Sequence, residues 1–290
     1  MQVDFIIIGA QKCGTSTLFD ILSGHPSLVG SRPKELNFFS LCTDWRKGVS
    51  TYESSFEQRP GALYFEGSPT YTFLPGGMSQ PAMDKVYPIR NFRIWDDMYD
   101  YNPSMKLMYL VRNPIDRIIS SYMHHYARGF TDQGLEEAIR SDRFFIDVTR
   151  YSTQVMPYIR KFGRDNVLIM DFEDLICHRE ALLREVSAFL SIDPEGFSNY
   201  EDVHSNASTA NRWTHHRFEN PPLPLKAVRR FLPTIWDRIT DNKRRSFEAK
   251  PQLTHETKEV LIHMLELEVT EMQKLMNKDL SAWMSLDSDS

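Results

Sequence analysis

Lys12 stands inside the run Gly9-Ala10-Gln11-Lys12-Cys13-Gly14-Thr15-Ser16-Thr17, where two glycines bracket a lysine and three hydroxyl-bearing residues follow. An apolar run near residues 4 to 8 precedes it, and a helical pattern with Leu18, Ile21 and Leu22 on one face follows. The segment therefore reads as a strand, a turn and a helix N-terminus. Such a turn directs several backbone N–H groups at one point, and the helix dipole adds partial positive charge there. An anionic phosphoryl or sulfuryl group is the natural occupant. The spacing departs from the nucleotide-triphosphate loop G-x-x-x-x-G-K-[ST], because Thr15 takes the place of its lysine and Lys12 lies within the turn. A lysine so placed projects toward the bridging atoms of the bound group rather than over the β and γ phosphates.

A second cationic position closes the apolar run Lys106-Leu107-Met108-Tyr109-Leu110-Val111 at Arg112, followed by Asn113 and Pro114. Asn113 suits an N-cap and Pro114 the first helical position, so a helix begins directly after the arginine. On that helix Ile115, Ile118, Ile119 and Tyr122 share one side, expected to pack on the sheet, while Asn113, Arg117, Ser120 and His124 fall on the other. Arg112 offers a forked donor pair and Ser120 a hydroxyl to a phosphate at the sheet edge. A magnesium site would want an acid after this strand, and the strand ends in a cation instead.

Together the two anchors resemble the sulfotransferases that use 3′-phosphoadenosine-5′-phosphosulfate (PAPS). Gln11 to Thr17 is similar to their 5′-phosphosulfate loop, and Arg112-Asn113-Pro114 through Ser120 to their 3′-phosphate motif. The likeness continues through Lys34-Glu35-Leu36-Asn37-Phe38-Phe39, Glu66-Gly67-Ser68-Pro69-Thr70-Tyr71 and Val167 to Leu175, in the order seen in the carbohydrate, heparan-sulfate-type branch and its bacterial relatives. It covers roughly residues 3 to 192 and, more loosely, the C-terminal helix. Two departures stand out: the heparan 3-O-type enzymes carry a lysine at the position of Gly67, and Cys13 stands where glycine or threonine is usual.

The resemblance implies PAPS as donor, adenosine 3′,5′-bisphosphate (PAP) as product, no required metal, and an acceptor hydroxyl, a glycan being favoured over a lipid, a small natural product or a carrier-bound chain. Lys12 is expected to neutralise charge on the leaving phosphate. The N–H groups of Cys13, Gly14, Thr15, Ser16 and Thr17, with the three hydroxyls, are expected to hold the 5′-phosphate, beside Gln11. Arg112, Ser120 and, on a loop near Trp213, Arg212 complete the nucleotide contacts. The resemblance implies Glu35 as general base, and burial among Phe38, Phe39 and Tyr71 would raise its pKa. His125, or its neighbour His124, is the alternative base. Lys34, Ser68 and Tyr71 are expected on the acceptor side. A nucleotide-triphosphate kinase and a non-catalytic glycan-binding protein are the rival readings.

The elements that must position these groups are short apolar segments near 4 to 8, 62 to 66, 106 to 111 and 167 to 171, with a shorter strand near 28 to 30. Helical patterns alternate with them, near 114 to 128, 150 to 163, 178 to 190 and 255 to 278. The last carries Leu261, Met264, Leu265, Met272 and Leu275 along one stripe. This order predicts an α/β, P-loop-like three-layer fold, a central parallel sheet flanked by helices, with ligands at the carboxyl ends of the strands. Residues 40 to 61 and 72 to 104 read as irregular walls and lids. Residues 220 to 251 read as a solvated basic surface.

A chain of 290 residues with 41% hydrophobic content can bury a full core, and a single domain over 1–290 is expected. A net charge of -5 argues against a general nucleic-acid binder. Three scattered cysteines form no disulfide or zinc pattern, and no run has the length of a membrane span. No signal peptide precedes the first strand, so the cytoplasm is expected, with a Golgi-lumenal catalytic domain lacking its anchor as the alternative.

Overall fold

The computed structural model describes residues 1–73, 87, 89–197, 247 and 249–286. Its centre is a five-stranded sheet in the order β2-β3-β1-β4-β5, with every pairing parallel. The strands are β1 (Phe5–Gly9), β2 (Leu28–Gly30), β3 (Leu63–Gly67), β4 (Lys106–Val111) and β5 (Val167–Asp171). All five residues of β1 are buried, as a central parallel strand covered on both faces requires, and its sequence is accordingly an unbroken apolar run. Phe5 lies opposite both Phe65 and Lys106 in the ladder, so the chain leaving β1 emerges between β3 and β4. Sequence order reverses there, with β1 flanked by connections running to opposite sides.

The α-helices among the described residues are α1 (Thr15–Ser23), α2 (Phe38–Leu41), α3 (Trp45–Glu53), α4 (Ile94–Tyr101), α5 (Pro114–Ala127), α6 (Leu135–Ser141), α7 (Phe144–Asp147), α8 (Tyr151–Phe162), α9 (Phe172–Cys177), α10 (Arg179–Leu190) and α11 (His255–Met276). Their starts follow local chemistry. Asn113 Oδ1 accepts from the N–H groups of Ile115 and Asp116, with Pro114 at the first position of α5. Asp171 caps α9 through Glu173 N, and Thr254 caps α11 through Thr257 N.

Several expectations need correction. The stretches 40–61 and 72–104 are not simply irregular, since they carry α3 and α4, whose buried Tyr52, Ile94, Met98 and Tyr101 join the sheet core. The apolar side of α5 packs away from the sheet core: Ile118, Ile119 and Tyr122 form a second cluster with α6, α7 and Leu261 and Leu265 of α11. On α11 the buried side runs through Leu261, Leu265, Glu268, Val269 and Met272, while Met264 is exposed. Among the described residues, no helix is long and apolar enough to cross a membrane.

Candidate active site

The turn after β1 is tight for reasons visible at its glycines. Gly14 has φ +89°, and a Cβ there would stand 2.6 Å from the Phe172 ring, so backbone geometry and crowding both exclude a side chain. Having none itself, Gly14 cannot cap α1. The helical ladder opens only where Leu18 N donates to Gly14 O at 3.0 Å, so the N–H groups of Thr15, Ser16 and Thr17 precede it. Cys13 N, expected among the phosphate donors, is committed to Ala10 O at 3.2 Å. The Cys13 thiol is buried beside Gln11 O and Tyr151 Oη, and burial pushes it up to about 11.

Lys12 takes a left-handed conformation, φ +67°. Among the described residues its ammonium has no hydrogen-bond or ion-pair partner. Burial first, then the charges of Arg117, Arg128 and Arg112, bring its pKa down to about 8. Arg117 is the unexpected member of this group. Helical spacing placed it on the polar side of α5, which proves to be a buried side: the guanidinium is 0% exposed. Its Nε donates to Gln11 O at 3.1 Å and its Nη2 to Gln11 Oε1 at 2.8 Å, while Nη1 donates to Phe145 O at 2.9 Å and Thr149 Oγ1 at 3.0 Å. Gln11, expected to touch the nucleotide, is thus held inward. Its amide nitrogen donates to Tyr87 Oη at 2.8 Å, and that hydroxyl meets His125 Nε2 at 3.3 Å.

His125 lies 2% exposed, stacked on Phe144, and burial followed by Arg117 and Lys12 lowers its pKa to about 3. A sealed, neutral imidazole bonded to Tyr87 is not placed to take a proton from an acceptor, contrary to the expectation that His125 could serve as the alternative base. His124 is lowered to about 2, again chiefly by burial.

Arg112 follows β4 directly. Its guanidinium lies 4.7 Å from the centre of the Phe172 ring and 3.8 Å from Asp116, which Lys250 also pairs at 2.7 Å. Phe172 therefore buttresses both Gly14 and Arg112, coupling the two anchors through one ring. Ser120 is partly exposed on α5. Arg212 and Trp213, like most of 220–251, lie outside the described residues.

The third part of the site is the segment between β2 and α2. Lys34 donates to Ser16 Oγ at 2.9 Å and Thr15 Oγ1 at 3.3 Å, and its ammonium pairs with Glu35 Oε1 at 3.5 Å. One lysine thus ties the Glu35 carboxylate to the start of α1, so Lys34 stands against the phosphate loop rather than on the acceptor side. Burial lowers its pKa, opposed by Glu35. The Lys34 stem also lies 3.3 Å from where a Cβ on residue 67 would stand, so the space beside Gly67 is already taken.

Glu35 is not buried among aromatic rings as expected; its side chain is 43% exposed. The carboxylate that occupies that setting is Glu66, 0% exposed and raised in pKa by burial. Ser68 and Tyr71, expected at the acceptor, are buried and donate to Glu66. An acidic residue inside the strand Leu63-Tyr64-Phe65-Glu66-Gly67 was the available signal for this cluster. Arg117 had a similar signal, since Arg117, Ser121 and His125 share one side of α5. Among the described residues no group of His, Cys, Asp and Glu could hold a metal ion.

This arrangement can hold a polyanion at the start of α1, meet charge on its bridging oxygen with Lys12, and offer a carboxylate beside it. The family model described as a sulfotransferase domain matches residues 2–221. The human bifunctional heparan sulfate N-deacetylase/N-sulfotransferase 2 is 27% identical over 219 residues, 68% of this chain and 22% of that protein. Mouse heparan sulfate glucosamine 3-O-sulfotransferase 5 is 30% identical over 118 residues, 40% of this chain and 29% of that one. The chain therefore spans well under a third of the length of these curated relatives. A sulfotransferase crystal structure from Alicyclobacillus acidocaldarius shares the fold, with TM-score 0.63 and 24% identity over 98% of this chain and 100% of that one.

Proposed function

We propose, starting from the fact that this chain belongs to the sulfotransferase domain family and is a sulfotransferase, that its donor is PAPS and its acceptor a glycan hydroxyl. The observation that carries the donor is Lys12: a lysine with no partner among the described residues, beside uncapped N–H groups, with Arg112 braced on the same phenylalanine as the loop. These residues fit a doubly phosphorylated adenosine, one phosphate at each cation. The heparan sulfate enzymes among the relatives support the glycan. A single domain over 1–290 and a cytoplasmic site of action belong to the same reading, the latter on three scattered cysteines.

Bound here, PAPS supplies a sulfuryl group already activated on a phosphate oxygen. The N–H groups of Thr15, Ser16 and Thr17 and their hydroxyls hold the 5′-phosphate, with the α1 dipole aligned to it. Arg112 and Ser120 hold the 3′-phosphate, the arginine through its fork of donors. The Lys12 ammonium neutralises negative charge that develops on the leaving oxygen, a preorganised stabilisation that needs no metal in principle. Glu35 accepts the acceptor hydroxyl's proton, and its exposure leaves it open to an incoming sugar.

Thermal stabilisation by PAP compared with ATP plus magnesium tests the donor. PAP should raise stability by about 2.7 kcal/mol at a hundredfold excess over its dissociation constant. A preference for ATP plus magnesium would refute the reading, as would an Arg112→Ala variant that keeps the wild-type preference for PAP over 5′-AMP. Labelled PAPS offered with desulfated heparin, phenols and lipid extracts then tests the acceptor, and transfer to the phenols or lipids alone would exclude a glycan.

A further inference from the structure

We infer that Glu66 is a positioning residue, which fixes the segment Glu35–Phe39 and thereby holds the Glu35 carboxylate beside the phosphate loop. A buried carboxylate is costly unless its lone pairs are fully met by donors. Glu66 meets that condition with no basic partner among the described residues. Oε1 accepts from Tyr52 Oη at 2.9 Å and Tyr71 Oη at 2.6 Å, and Oε2 from Ser68 Oγ at 2.5 Å and Leu36 N at 3.4 Å. Four donors match the acceptor capacity of an ionised carboxylate, which has no proton to give.

These bonds lead back to one stretch of chain. Leu36 N reaches Glu66 directly. Asn37 N donates to Ser68 Oγ at 2.9 Å, and Phe39 N donates to Tyr71 Oη at 3.3 Å. Each hydroxyl accepts from the backbone and passes its own proton on to Glu66, so the carboxylate sets the direction of every bond in the cluster. An amide at this position would confront donors whichever way its nitrogen turned. Lys34 O, one residue before Glu35, accepts from Gly67 N at 3.3 Å, which extends the same tie. Tyr52 arrives from α3 and stacks on Phe38, closing the cluster from above α2.

The catalytic consequence rests on Glu35 as base, the reading proposed above; the anchoring does not. Glu66→Gln keeps the volume and breaks the polarity. Amide hydrogen exchange should speed up at Leu36, Asn37 and Phe39 by about tenfold or more, with Ile6 to Ile8 of β1 unchanged. Ser68→Ala should free Asn37 alone, and Tyr71→Phe should free Phe39 alone, which keeps the test open should Glu66→Gln fold poorly. In transfer from PAPS to desulfated heparin, kcat should fall by about tenfold or more while KM for PAPS and PAP affinity hold.

Wild-type protection at all three amides in the variants would overturn the inference. So would uniform acceleration that includes β1, or a loss of PAP affinity as large as the loss in kcat. A wild-type protein that transfers nothing from PAPS would refute the proposed function, and the exchange rates, which need no nucleotide, would still decide the anchoring.

Discussion

The loop that carries Lys12 is held by a buried cation, and the loop that carries Glu35 is held by a buried anion. Neither Arg117 nor Glu66 has an oppositely charged partner among the described residues; each is satisfied by neutral dipoles, carbonyls and hydroxyls for the arginine, hydroxyls and one N–H for the glutamate. Their surroundings differ. Around Lys12 stand Arg117, Arg128 and Arg112, all of one sign, and the pKa values of Lys12, His124 and His125 are all lowered, by burial first and by neighbouring positive charge after it. Around Glu66 stand tyrosines that its charge, after burial, keeps protonated. Among the described residues Arg112 has Asp116 as an acidic partner and Lys12 has none, so the first side keeps positive charge that an anion would relieve; the second is complete without a ligand.

Four experiments would break or sharpen that contrast. Lys12→Ala should slow the chemical step by about 10²–10³-fold in single-turnover assays while PAP binding largely persists. Near-wild-type turnover would remove Lys12 from the leaving-group role. Glu35→Gln should cost a comparable factor, about 10²–10⁴, with PAP affinity unchanged by calorimetry.

Arg117→Met should cost about 1–3 kcal/mol in urea denaturation, because Gln11 and Phe145 lose their donor. It should also weaken PAP and let Lys12 titrate above about 8. Weakened PAP in this variant, set against unchanged PAP in Glu66→Gln, is what separates the two sides.

The smallest effect is pH. PAP affinity should fall as pH rises through about 8, where Lys12 loses its proton, and Lys12→Ala should abolish that dependence. The contribution to folding has the opposite sign. Folded Lys12 titrates near 8 and an unfolded lysine near 10.5, so between those values the unfolded chain holds more protons and the ligand-free protein gains stability as pH rises. Urea melts of wild type and Lys12→Ala across that window measure the difference.

Much of the scaffold was legible in the sequence because it is written locally. The apolar run of β1, the Asn113-Pro114 start of α5 and the glycine-bracketed lysine each declare themselves within a few residues. The charge holders were not, since their partners are distant in sequence. Glu66 gathers Tyr52, Leu36, Ser68 and Tyr71 from separate segments, and only folding brings those hydroxyls to one point. Arg117 was assigned the correct side of its helix but the wrong surroundings: α5 is covered on two sides, by the second apolar cluster and by Gln11. Amphipathic spacing separates polar from apolar and cannot say that the polar side is buried as well. Glu35 fails in the opposite sense, for the nearby aromatic residues that suggested its burial enclose Glu66 instead.

Cys13 lies in the turn between β1 and α1 and is nonetheless chemically quiet. Its thiol is closed off from solvent and carries little thiolate at neutral pH, whereas Cys177 is exposed at the end of α9. A maleimide dye at neutral pH should consequently mark Cys177 long before Cys13, giving a fluorescent reporter that leaves the nucleotide cradle intact. Mild oxidants should spare the cradle for the same reason.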